Sequence, residues 1–247
     1  AERLFQVIER LAENGPMGIM DLSAELGFHK STTHRLVTSL QYMGYIRQDE
    51  ESLKYALSLK FLEIGSKILE QTNMASLIHP SLKKLSEQTG ETVHLVRREG
   101  TEAVYIDKVE STVSSIRMVS RVGSRIPLYC SGVGKALLAE LPDPEIEDIW
   151  NSSEITSLTP YTVTSLSDLM DRIRGVREAG YAMDDEENEE GVRCIAVSIP
   201  DYHKEPVYAL SISAPVSRMT DARIAELSTD VLTFKKDLEK TLGFSRS

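Results

Sequence analysis

The stretch GIMDLSAELGFHKSTTHRLVTSLQYMGYI, residues 18–46, decides how the chain begins to fold. Leu22, Ala24 and Leu26 mark a short helix that stops at Gly27, a residue suited to the tight turn between two crossing helices. A longer helix is predicted from Lys30 to Met43, with Leu36, Leu40 and Met43 on its buried face and Gly44 closing it. Upstream, Leu4, Val7, Ile8 and Leu11 form the stripe of an amphipathic helix that Asn14-Gly15-Pro16 terminates. Downstream, Tyr45-Ile46-Arg47 and Lys54-Tyr55-Ala56-Leu57 flank a polar tip at Asp49-Glu50-Glu51-Ser52, which reads as a hairpin. Three helices and a hairpin within about sixty residues make a winged helix-turn-helix.

The early face of the third helix offers Lys30, Ser31, Thr32, Thr33, His34 and Arg35 in one unbroken polar run. Such a helix enters the major groove of double-stranded DNA, its hydroxyls and Arg35 meeting base edges or phosphates. A solvated face on a protein-interaction module fits the same pattern. The net charge of −10 argues against nucleic acid, yet residues 1–60 hold seven basic and eight acidic side chains. From Leu26 to Gln48 there is no acid, while Lys30, Arg35 and Arg47 are present, and the local field governs. The acidic wing tip Asp49-Glu50-Glu51 is expected to repel phosphates and to add little binding.

The chain of 247 residues is 41% hydrophobic and 27% charged, enough for two domains with real cores. No apolar run reaches the roughly 18–20 residues that span a bilayer. The first fifteen residues lack the pattern of a signal peptide, and two cysteines are too few for a disulfide framework. A cytoplasmic protein without membrane contact or cofactor is expected.

Residues 59–73 are read as a linker helix between a DNA-binding domain at 1–58 and a larger domain at 74–247. Leu59, Leu62, Ser66 and Leu69 form one seam, and Phe61, Ile64, Gly65 and Ile68 a second. In the larger domain, helices are predicted at 78–89, 165–179 and the C-terminus, with another opening at the glycine turn SGVGK (131–135). Strands are predicted at 92–96, 103–106, 116–119, 194–199 and 207–213. Their irregular interspersion argues for an α+β fold with a mainly antiparallel sheet.

Three features there could carry chemistry. SGVGK fails the spacing of a nucleotide phosphate loop, and Ala136 stands where Ser or Thr should reach Mg²⁺. The acidic run 184–190 lacks EF-hand spacing and defaults to a solvated loop, with one member turned inward. Cys194 sits in an apolar strand without a nearby His. An enzyme using Cys194 or Asp184, with the N-terminal domain as an interaction module, and a signalling adaptor both stay open as alternatives.

The helix-turn-helix stretch, with Lys30-Ser31-Thr32 and Arg35, resembles that of IclR-family transcriptional regulators. It departs at His29, where the family usually has a small capping residue. IPLYCSGVGKALLAELP (126–142), DDEENEEGVRCIAVSIPD (184–201) and EPVYALSISAPVSR (205–218) are similar to successive segments of the family's GAF-like effector-binding domain. The resemblance implies a homodimer, or a tetramer built as a dimer of dimers, bound to operator DNA. It implies a small organic acid in a pocket lined by Gly132, Val133, Asp184, Cys194, Ser211 and Ser213, with Met118 and Ile126 as apolar walls. Val133 is bulkier than the residue often found there. Within the family, YIDKVES (105–111), IRMVSRVGSRIPLY (116–129) and EEGVRCIAV (189–197) are most similar to KdgR-type repressors, implying 2-keto-3-deoxygluconate or a related sugar acid as effector.

Overall fold

A computed structural model describes residues 1–64, 74–111, 120–201 and 203–242. The chain divides into two compact units, Ala1–Asn73 and Met74–Ser247.

In the first unit, helices α1 (Glu2–Asn14), α2 (Ile19–Leu26) and α3 (Lys30–Tyr42) precede a hairpin of β1 (Ile46–Gln48) and β2 (Tyr55–Leu57). Gly27 ends α2 in the left-handed region at φ 64°, its N–H returning to the carbonyls of Ser23 and Ala24. Val7, Leu11, Leu22, Val37, Leu40, Ile46 and Tyr55 fill the core. An antiparallel bridge between Met17 and Tyr55 ties the segment before α2 to the hairpin.

The buried face of α3 is Thr33, Val37 and Leu40, so the face expected through Met43 is corrected. These three recur at i, i+4 and i+7, and Met43 is left exposed beyond the last turn. The chain is helical again over residues 60–64. There Lys60 Nζ donates to the Met43 carbonyl at 2.7 Å, and the Phe61 and Tyr45 rings lie 5.2 Å apart. The remainder of the predicted linker helix, residues 65–73, lies outside the described residues.

The second unit begins with α4 (Met74–Thr89), followed by strands β3 (Thr92–Glu99), β4 (Glu102–Val109) and β5 (Arg125–Pro127). Helices α5 (Gly132–Leu138), α6 (Asp143–Asn151) and α7 (Leu166–Ala179) come next. Strands β6 (Ala182–Asp185), β7 (Val192–Ile199) and β8 (Tyr208–Pro215) and helix α8 (Asp221–Thr241) complete it. The sheet has order β5-β4-β3-β8-β7-β6, and every neighbouring pair is antiparallel. Because side chains alternate across a strand, each face has its own partners. Ile195, Val197, Leu210 and Ile212 pack against Leu82 and Leu85 of α4 and Leu227 and Val231 of α8. The opposite face presents Ala182, Ala196 and Ala209 to Leu137 and Leu138 of α5 and Leu169 and Ile173 of α7.

Helix α4 starts at Met74, earlier than the expected residue 78, and holds Pro80 inside it with one ladder bond forgone. Helix α6, β5 and β6 were not anticipated. Helix α6 is largely polar, with a single buried residue, Ile146. Strand β6 enters the acidic run that was expected to be a loop. The predicted strand at 116–119 falls outside the described residues.

Candidate functional site

Helix α3 presents Lys30, Ser31, His34 and Arg35 to solvent, with Thr38 and Tyr42 continuing the stripe. Thr32 is half-buried. Thr33, expected among the DNA contacts, is fully buried, with its hydroxyl toward the His29 carbonyl at 3.4 Å. It sits on the stripe that faces the unit's own core and cannot reach a base edge. His29 makes no side-chain cap; its backbone carbonyl instead accepts from the Thr32 and Thr33 amides. Arg3, which the sequence reading passed over, lies 5.2 Å over the Phe28 ring, in the turn before α3. At the wing tip, Asp49 accepts from the backbone N–H and hydroxyl of Ser52, both at 2.8 Å. Those bonds, the backbone one foremost, hold the Asp49 carboxyl below its usual range.

In the second unit, strand register assembles a polar row on the α5 side of the sheet. Asp184 of β6 pairs with Cys194 of β7, which pairs with Ser213 of β8. In the next row, Ala196 pairs with Ser211, and Ser211 with His94 of β3, which faces Lys108 of β4. The start of α5 rests on this surface. A Cβ on Gly132 would lie 3.5 Å from the Cβ atoms of Ala196 and Asp184. Two residues on, a Cβ on Gly134 would fall 2.1 Å from the Leu128 carbonyl oxygen, so only glycine permits this approach. Ser131 caps α5 by accepting from the Gly134 amide at 3.1 Å.

The row is buried polar chemistry. Asp184, Ser211, Ser213 and His94 are each at most 4% exposed. Asp184 Oδ1 accepts from the Glu187 amide at 2.8 Å. Burial pushes its carboxyl up to about 7, against the opposing pull of Lys135. Burial also raises the Cys194 thiol and the Tyr105 hydroxyl, with Asp184 adding to both. His94 Nε2 lies 2.7 Å from Ser120 Oγ, and its Nδ1 lies 3.3 Å from Ser213 Oγ and 3.4 Å from Ser211 Oγ. Burial holds this imidazole down to about 3, with the Lys108 charge acting in the same sense. At neutral pH the serines, the Cys194 thiol and His94 are therefore neutral donors and acceptors, Asp184 titrates close to that pH, and none of the neutral groups is an activated nucleophile.

Of the predicted pocket residues, the structure brings Gly132, Asp184, Cys194, Ser211 and Ser213 together on this face. Val133 and Ile126 are buried in the apolar cluster on the same side of the sheet. Met118 lies outside the described residues. His94, Tyr105, Lys108 and Ser120 were missed. His94 sits in the strand Thr92–Glu99, buried on both faces over its first five residues, where a lone histidine gives no signal of the hydroxyls that register brings to it. Among the described residues, no group of three or more His, Cys, Asp or Glu could hold a metal ion, and no helix is long and apolar enough to cross a membrane.

Comparison with known proteins identifies two family regions in the chain. The family model of the IclR helix-turn-helix domain matches residues 1–50, and that of the bacterial transcriptional regulator IclR C-terminal domain matches residues 66–239. The acetate operon repressor of Salmonella typhimurium is 36% identical over 247 residues, covering 99% of this chain and 90% of that protein. The HTH-type transcriptional regulator KdgR of Escherichia coli is 35% identical over 242 residues, covering 98% and 92%, which is consistent with the KdgR-type resemblance. The crystal structure of the Thermotoga maritima IclR superposes with a TM-score of 0.66 at 32% identity, covering 98% of each chain. The chain belongs to the IclR family of bacterial transcriptional regulators, DNA-binding proteins rather than enzymes.

Proposed function

We propose that the protein is a cytoplasmic repressor whose hold on operator DNA is modulated by a small organic acid. In this reading residues 1–58 bind DNA, residues 59–73 join the domains, and residues 74–247 bind the effector. Lys30, Ser31, His34 and Arg35 contact the operator, with Thr32 at the margin of that surface. Asp184, Cys194, Ser211 and Ser213, with Gly132 above them, hold the polar groups of the acid. Val133 and Ile126 supply apolar wall, and Met118 keeps the role that the family resemblance implies. The carrying observation is the row Asp184–Cys194–Ser213, two buried polar side chains flanking a half-buried thiol on the sheet face that also carries Ala182, Ala196 and Ala209. The serine hydroxyls meet His94 and each other, and their remaining hydrogen-bonding capacity suits a carboxylate or keto oxygen.

The effector proposed is 2-keto-3-deoxygluconate or a related sugar acid, resting on the subgroup resemblance and on the relatedness to KdgR. Its effect on DNA binding requires unequal affinity for the DNA-competent and incompetent arrangements, and DNA then alters effector affinity by the same factor. A homodimer places two recognition helices about one helical turn apart on a palindromic operator, roughly 34–36 Å, and a dimer of dimers repeats that unit.

Fluorescence anisotropy against DNA from upstream of the protein's own gene tests the reading, with random duplex as competitor and the keto acid added or withheld. Sequence-preferring binding that the keto acid weakens is expected. Specific binding indifferent to the compound discards that effector and keeps the regulator.

A further inference from the structure

We infer that His94 is a specificity-determining positioning residue: it orients the Ser211–Ser213 hydroxyl pair to donate into the pocket and so selects ligands with a carboxylate or keto oxygen there. The inference deepens the effector-pocket reading above and rests on it.

His94 is 2% exposed, yet both ring nitrogens meet hydroxyl groups. A neutral imidazole has one N–H and one lone pair, and hydroxyls can serve either. The choice of tautomer therefore decides which way the serine protons point. Lys108 decides it. Its Nζ donates to the Ser120 carbonyl at 2.9 Å, and the Ser120 hydroxyl is the partner of Nε2. The ammonium thus stands on the Nε2 side of the ring, where positive potential favours a lone pair over a second N–H. Nε2 accepts from Ser120, and Nδ1 carries the proton. The Ser211 and Ser213 oxygens then lie on the donating side of the ring, at 3.4 and 3.3 Å. A hydroxyl that accepts from the imidazole keeps its own proton for another acceptor; the two serine oxygens lie 3.4 Å apart, so one proton spans the pair and the other O–H is left to donate into the pocket.

The reverse tautomer would draw a serine proton inward onto Nδ1 and remove that donor from the pocket. It suits a ligand that places an amine or hydroxyl donor at this point. The edge-to-face contact of His94 with Tyr105, at 5.1 Å between centroids, holds the ring plane in the orientation that both serines need.

The test uses the full chain with ¹⁵N-labelled histidine, read by long-range ¹H–¹⁵N spectra with and without 2-keto-3-deoxygluconate or pyruvate. Titration calorimetry accompanies it on wild type, His94→Phe and His94→Asn. We expect the Nδ1–H tautomer in the wild-type complex and a loss of keto-acid affinity of about tenfold or more in His94→Phe. His94→Asn, which keeps an N–H directed at the serines, should recover most of that loss. An Nε2–H tautomer in the complex, or unchanged affinity in His94→Phe, overturns the inference. The tautomer is read on the wild type, so it decides even where a variant folds poorly. Absence of binding of either keto acid to the wild type overturns the effector reading and this inference with it, a result distinct from an indifferent variant.

Discussion

Lys135 of α5 and Glu187, two residues past β6, form an ion pair with side chains only 1% and 2% exposed. The pair ties the helix that roofs the polar row to the turn that follows Asp184. Thr162 reinforces it by donating its hydroxyl to the Glu187 carbonyl at 2.6 Å. Breaking a buried pair from one side leaves an uncompensated charge. Lys135→Met is therefore expected to destabilise the effector unit by about 3–5 kcal/mol. Lys135→Met combined with Glu187→Leu should recover most of that loss. Urea denaturation of the three proteins decides the matter, and equal losses in the single and double variants would refute the account.

Stability should depend on pH in two opposing ways. An unfolded His94 binds a proton below its usual 6.5, whereas the folded one stays neutral down to about 3. Its contribution is lost as pH falls through that window. Asp184 is the reverse: folded, it keeps its proton up to about 7, and unfolded it ionises near 3.8. Its contribution is lost as pH rises between those values. Asp184→Asn retains the acceptor for the Glu187 amide, so its stability relative to wild type should climb by roughly 1 kcal/mol per pH unit from about 4 to 7. A pH-independent difference in denaturation midpoint would contradict this.

Two glycines in helices should respond oppositely to alanine. Gly134→Ala forces a Cβ into the Leu128 backbone and is expected to cost about 3 kcal/mol or to prevent folding of the effector unit. Gly175, inside α7, has nothing within 4 Å of its Cβ position. Gly175→Ala should raise stability by up to about 1 kcal/mol through helix propensity alone. Thermal melts of both variants check the contrast.

On α3, Lys30→Ala and Arg35→Ala are each expected to weaken operator binding and to lower the slope of log Kd against log salt by about 1 if the residue contacts a phosphate. Thr33→Val should leave that slope unchanged, because Thr33 is buried in its own unit. Anisotropy titrations at several salt concentrations distinguish them; a changed slope in Thr33→Val would place that residue on the DNA side after all.

The elements that local chemistry specifies were legible in the chain. Gly27 stops α2, the spacing of Leu166, Leu169, Met170, Ile173 and Val176 marks α7, and the apolar run Cys194–Val197 marks a strand. Asp184 and Cys194 stand out in the sequence as candidates, whereas Ser211 and Ser213 were legible only through family resemblance. What the sequence by itself determined is the order and type of most elements, since caps, turns and periodicity act between residues close in the chain. Tertiary structure alone decided that Thr33 faces inward, because one helical turn offers several stripes and packing selects among them. It alone joined Lys135 to Glu187 and His94 to Ser120, Ser211 and Ser213. Those partners lie between 26 and 119 residues apart in the chain, and antiparallel register and helix packing, rather than any local spacing, bring them together.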